Sequence, residues 1–216
     1  MSNAVLSPAS VPPAPSGVKW VVAVVAAVWL AAVAGIGASG GFLSPAGTPP
    51  LPVAVGALGP LVAFFLAYRL WPAFRGWVLS ADLRIMVAVQ AWRFAGLGFL
   101  ALYANGILPA GFALPAGLGD MAIGATAPLI LLGLLRNARF ASGGTFVAWN
   151  LLGMLDLVTA VASGTLAALH ATGLPGEFTT APMARLPLLF IPVYLVPILF
   201  MLHIAALLQA RRPRMP

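Results

Sequence analysis

The chain has no cysteine and only four acidic residues among its 216. Without cysteine there is no disulfide, no thiolate metal site and no thiol catalysis. Charged side chains make up 7% of the sequence, against about 25% in a soluble domain. That is too few to cover a water-facing surface. Two histidines, His170 and His203, are also too few to build a metal or haem site without other ligands. No metal or other cofactor is therefore expected. A glycine-rich phosphate loop is missing too, which points away from ATP-driven transport by this chain alone.

Apolar sequence is what the chain has in abundance: 62% of it is hydrophobic and its mean hydropathy is +1.04. Lipid is the solvent that suits such a composition. A span needs about 20 apolar residues. Six runs qualify: 20–38, 51–68, 85–104, 112–135, 146–169 and 187–208. The breaks between them are rich in Gly, Pro or charge, as in Gly40–Pro52 and Arg136–Gly144. The expected fold class is all-α, a polytopic membrane protein with six transmembrane helices in one bundle over residues 19–210. Residues 1–18, rich in Ser, Pro and Ala, are expected to form a disordered cytoplasmic tail. Residues 211–216 form a basic one. The apolar run from Trp20 continues past Ile36, which fits a retained span better than a cleaved signal.

The net charge of +7 does not read as nucleic-acid binding, because the cations sit at the ends of apolar runs. Lys19 precedes the first run. Arg69, Arg75 and Arg84 lie between the second and third, and Arg136 and Arg139 between the fourth and fifth. Arg211, Arg212 and Arg214 follow the sixth, and only Arg185 falls on the other side. The positive-inside rule then places both termini in the cytoplasm of a multi-pass protein of the cell (inner) membrane. Pro60, Pro128, Pro192 and Pro197 interrupt spans and predict either passive bends or opened carbonyls facing a cavity. A short internal similarity, Gly56-Ala57-x-x-Pro60-Leu61 against Gly124-Ala125-x-x-Pro128-Leu129, suggests that spans two–three and four–five are parallel hairpins.

Polar residues inside the runs are the candidate site. A charge at bilayer depth is costly unless paired or hydrated, so such residues point to function. Helix rise places Arg93 about 13 Å from the cytoplasmic end, His203 about 12 Å, Asp156 about 16 Å, and Gln90 and Asn150 about 7–9 Å. These five form one expected layer, the intramembrane cluster Gln90, Arg93, Asn150, Asp156 and His203. Asp120 and Tyr194 both fall about 12 Å from the outer face and form a second, outer layer. Gln90, Arg93 and Gly96 share a helix face, as do Asn150, Gly153 and Asp156, and Gly117, Asp120 and Gly124. Small residues beside polar ones let helices approach and bond. Charge counting pairs Arg93 with Asp156 and leaves Asp120 as the carboxyl that carries a proton. The cluster reads equally as interhelical glue or as a polar pathway. The segment Ala171–Ala184 reads as a connector or a small lid.

Two resemblances follow from these residues. Gly117-Leu118-Gly119-Asp120 resembles the Gly-x-Gly-Asp signature of intramembrane aspartyl proteases, which implies Asp120 as one of two catalytic aspartates sharing a proton. Here, however, the second aspartate, Asp156, follows the motif rather than preceding it. Leu186-Pro187-Leu188 also stands where that family has Pro-Ala-Leu. Arg93-x-x-Gly96-x-x-Phe99, Gly106-x-Leu108-Pro109 and Asp120 among glycines are similar to the DoxX-like small membrane proteins over spans three to six. That resemblance implies a helical bundle associated with redox or quinone systems, although those proteins usually carry Glu at the acidic position. The functional expectation is a small-solute or proton-linked transporter or permeation protein, with Asp120 as the protonatable group in the proton-linked case. The alternatives are a non-catalytic membrane subunit assembled with a partner and, third, an intramembrane aspartyl enzyme. The lipid bilayer, a small solute or another membrane subunit are the expected partners, and no oligomeric state is implied.

Overall fold

Pro and Gly set the ends of the helices. The computed structural model describes residues 16–137 and 139–211. Helix α1 spans Ser16–Ala38 and gives way to a turn in which Gly40 has φ of 78°. Helix α2, Leu51–Leu70, starts beside Pro50 and Pro52 and ends two residues before Pro72, which opens α3, Pro72–Ser80. Proline suits a helix start because its missing N–H would be unbonded there anyway. Asp82 caps α4, Leu83–Gln90, by accepting from Arg84 N at 2.8 Å. The same helical rod continues as a tighter 3₁₀ stretch, Ala91–Gly96, and then as α5, Leu97–Ala104. Helix α6 runs Ala110–Arg136 and α7 runs Gly144–Leu169. A widened turn, Ile191–Leu195, leads into α8, Val196–Ala210.

Six of these helical segments are long and apolar enough to cross a membrane. Their outward surfaces are apolar along their length, with Trp20, Val24 and Val28 on α1 and Leu51, Val55 and Leu58 on α2 all exposed. Buried positions include Gln90, Arg93, Asn150 and His203. This inverts the usual sorting of a soluble protein.

Several expectations need correction. The last helical segment begins at Ile191 rather than 187, because the chain after Pro187 is still in single turns up to that point. Helix α1 takes in Ser16–Val18, part of the expected tail, and Val18 is buried in the same apolar cluster as Phe74 of α3. The rest of that expected tail, residues 1–15, and the tail arginines Arg212 and Arg214 lie outside the described residues. Helix α3 was not foreseen. It packs Phe74 and Val78 inward, and Gln209 of α8 donates to the Val78 and Ala81 carbonyls at 2.9 Å each. The two hairpins suggested by the internal similarity are not alike. Helix α2 packs on α3 and on the last segment, whereas α6 packs along α7 and along the 3₁₀ stretch.

That last contact is a tight one. A methyl group at Gly96 would meet Asp120 Cβ at 2.5 Å, and one at Gly117 would meet the Gly96 carbonyl at 2.9 Å. One at Gly124 would fall on the backbone nitrogen of Phe94. Gly124→Ala should therefore destabilise the protein by about 1–3 kcal/mol through overpacking against backbone that has little room to shift. Gly98→Ala, where nothing lies within 4 Å, should be neutral. Thermal unfolding of the two purified variants compares them directly, and equal melting would contradict a closed α6–3₁₀ crossing.

Candidate functional site

The glycine crossing brings three polar helix faces onto one guanidinium. Arg93 sits in the 3₁₀ stretch and is almost wholly buried, at 2% exposure. Its Nε donates to Asp120 Oδ1 at 2.7 Å. Its Nη2 donates to Asp156 Oδ2. Its Nη1 reaches both the Gly153 carbonyl and His203 Nε2 at 3.2 Å. All three guanidinium nitrogens are engaged, a fork geometry that a lysine ammonium cannot reproduce.

The chain of donors fixes the protonation of His203. Arginine can only donate, so His203 Nε2 must accept. Its Nδ1 then carries the proton and donates to Asn150 Oδ1 at 2.9 Å, while Asn150 Nδ2 donates to the Phe146 carbonyl at 2.9 Å. Trp149 closes over the imidazole, with ring centroids 5.5 Å apart. While Arg93 is in place His203 is a neutral acceptor and has no free nitrogen to relay a proton. Gly153 is where the imidazole lies, and a methyl group there would collide with the ring.

Of the five residues expected in one layer, Arg93, Asn150, Asp156 and His203 form one hydrogen-bonded chain. Gln90 lies one turn away and bonds elsewhere, its Nε2 donating to the Leu199 carbonyl at 3.1 Å, with its Oε1 buried and unpartnered among the described residues. The outer layer does not exist as expected. Asp120 belongs to the same cluster, so the two aspartates share Arg93 instead of one being paired and one set apart. Tyr194 is elsewhere: its hydroxyl donates to the Ala26 carbonyl at 3.3 Å and its ring packs on Trp29. The depth estimate failed for two reasons. A 3₁₀ stretch rises about 2.0 Å per residue instead of about 1.5 Å. The arginine side chain then extends further toward Asp120.

Apolar packing flanks the cluster on both sides. Toward the arginine-bearing end stand Met86, Val87, Ile123, Ala127 and Phe146. Toward the other end lies a second core around Phe99, Phe112 and Met183. Beside this second core is a cavity of about 390 Å³. Its outer boundary is formed by the segment 42–50 and by Ala171–Ala184, and its inner end by Ala57, Asp120, Leu157 and Val196. Of the charged cluster, Asp120 thus lines a mainly apolar cavity at one end of the bundle.

Glu177 stands at the outer boundary, and composition gave no hint of its role. Its carboxylate accepts from Thr172 N at 2.8 Å, Gly173 N at 2.9 Å and Thr172 Oγ1 at 3.0 Å. Gly173 and Gly176 take φ of 76° and 82° to form this small anion nest. Hydrogen bonds from Thr172, above all its backbone N–H, hold the Glu177 carboxyl below its ordinary value. His170, next to this loop, is exposed and hydrogen-bonds the Leu166 carbonyl through Nδ1.

Two expected outcomes follow. Arg93→Ala should cost about 3 kcal/mol, since it leaves two half-buried carboxyl groups unmatched. Arg93→Lys should recover only part of that. The triple variant with Asp120→Ala and Asp156→Ala should be more stable than Arg93→Ala alone, whereas independent, additive losses in unfolding experiments would contradict a shared cluster. For the loop, the lowered Glu177 value means that its contribution is complete above the ordinary 4.5 and disappears as pH falls through the native value. Thr172 and Gly173 amide resonances should titrate below pH 4.5 and lose that titration in Glu177→Gln.

Comparison with known proteins gives one family. Residues 50–211 match the family described as Domain of unknown function (DUF8737). No curated protein and no solved structure matches the chain. The match covers α2 to α8, including every residue bonded to Arg93, and the chain belongs to the DUF8737 family.

Proposed function

We propose that this protein is a multi-pass membrane protein with both termini in the cytoplasm, and that it binds and carries a small solute reaching Asp120 from the extracytoplasmic side. The observation that carries this reading is the cavity that ends on one carboxyl of the Arg93 cluster. The orientation rests on the basic segments, which place the cavity's outer boundary on the side opposite the cytoplasm. One guanidinium faces two carboxyl groups, so either a proton or a solute must compensate the second carboxylate. A carrier linked to protons or cations makes use of that imbalance.

Two other readings compete. An intramembrane aspartyl enzyme needs two carboxyls facing a common water and sharing a proton. Here the guanidinium stands between them and bonds both. A non-catalytic subunit, redox-associated or otherwise, would use the cluster only to hold helices together and would need no passage to it.

The absence of cysteine makes the test clean. Single cysteines at Thr165, inside the cavity, and at Leu155, on the apolar outer surface, would be exposed to a charged, membrane-impermeant thiol reagent in oriented vesicles. Thr165→Cys should react from the extracytoplasmic side and Leu155→Cys from neither. A Thr165→Cys that stays silent from both sides would remove the passage and with it the carrier reading.

A further inference from the structure

The cavity has a chemical character of its own. Among the described residues that line it, the charged side chains are Asp120 at the inner end and Glu177 at the outer boundary, both carboxylates. Lysine, arginine and histidine do not line it. Between the two carboxylates the walls are mainly apolar and partly aromatic, with Thr165 and Thr180 among them and with Phe99 and Phe112 in an edge-to-face pair 5.5 Å apart. Asp120 gives only Oδ1 to Arg93, and its Oδ2 accepts no hydrogen bond among the described residues. The guanidinium behind it is shared with Asp156, so it cannot neutralise both. A passage with low-dielectric walls and one sign of charge concentrates the opposite sign.

We infer that the cavity takes a hydrophobic organic cation, with its charged head at Asp120 Oδ2 and its apolar body against Phe99 and Phe112. This rests on the reading of the cavity as a solute site and specifies which solutes it admits. Its volume, about 390 Å³, lies within the range of about 300–1,000 Å³ usual for small-molecule pockets. Aromatic faces attract cations as well as apolar groups. A neutral solute of the same shape brings no charge to match the second carboxylate, which then has to bind a proton. An anion meets two carboxylates, the repulsive half of selectivity.

The test measures how far a ligand slows alkylation of the cysteine in full-length Thr165→Cys. Benzyltrimethylammonium is the cationic probe, 2,2-dimethylpropylbenzene its uncharged isostere, and phenylpropionate the anion. The cation should protect, and Asp120→Asn in the same background should weaken its apparent affinity roughly ten- to hundredfold, by removing the Coulombic attraction between the carboxylate and a quaternary nitrogen that has no N–H to donate. Glu177→Gln, at an exposed position outside the cluster, should weaken it about two- to fivefold by removing long-range attraction. That second variant keeps the test decisive even if Asp120→Asn disturbs the fold. Equal protection by the uncharged or anionic probe would overturn cation selection while leaving a solute site in place. No protection by the cation, with the cysteine freely reactive, would overturn the inference alone. A cysteine that no reagent reaches would remove the site and the inference together.

Discussion

One buried guanidinium constrains the rest of this structure. An arginine inside an apolar bundle must have its donors matched, because an unpaired charge at that depth costs several kcal/mol. Asp120, Asp156, Gly153 and His203 supply the match from three different helices. None of those groups can reach Arg93 unless backbones approach closely, and that explains the glycines at 96, 117, 124 and 153. The packing also explains the helix geometry. The Arg93 segment is wound as 3₁₀ where it crosses α6, and such stretches inside long helices mark strain or a hinge.

The same requirement orders the surroundings of the cluster. Apolar cores on either side shield Arg93, His203 and Asn150 from solvent, which strengthens the bonds among them. His203 is fixed as an acceptor by Arg93 and as a donor to Asn150, so the only groups left to change partner are the carboxyls. Of these, Asp120 borders the cavity. The passage and the charge imbalance therefore meet at one side chain.

Much of this was legible beforehand. The six apolar runs needed only length and composition, and the three polar faces needed only the i, i+3 spacing of Gln90–Arg93–Gly96, Gly117–Asp120 and Asn150–Gly153–Asp156. Those features survive because a bundle whose outer surface is apolar leaves polar side chains few places to pack except against one another. Depth was less legible. Counting residues assumes one helical rise and ignores side-chain length, and both assumptions fail at Arg93. That is why Asp120 was assigned to a separate layer. Tyr194 was grouped with Asp120 on depth alone, which says nothing about azimuth, and the widened turn Ile191–Leu195 directs its side chain to α1 instead. Helix α3 was hidden by its shortness and its start at a proline. Glu177 was hidden because its bonds are local to a loop whose glycines could have served any turn.

The second carboxylate separates adhesion from use. A cluster that only glued helices together would be complete with one aspartate, since Arg93 and one carboxylate already balance. Adding another half-buried carboxyl without another cation brings a desolvation penalty if it is ionised, or requires a proton to be bound if it is not. Selection for stability alone removes such a group readily, because an apolar or amide side chain of similar size would pack as well and need no compensation. Its presence beside a cavity with a carboxylate at its mouth and no lining cation is better accounted for by a ligand that brings the missing positive charge with it.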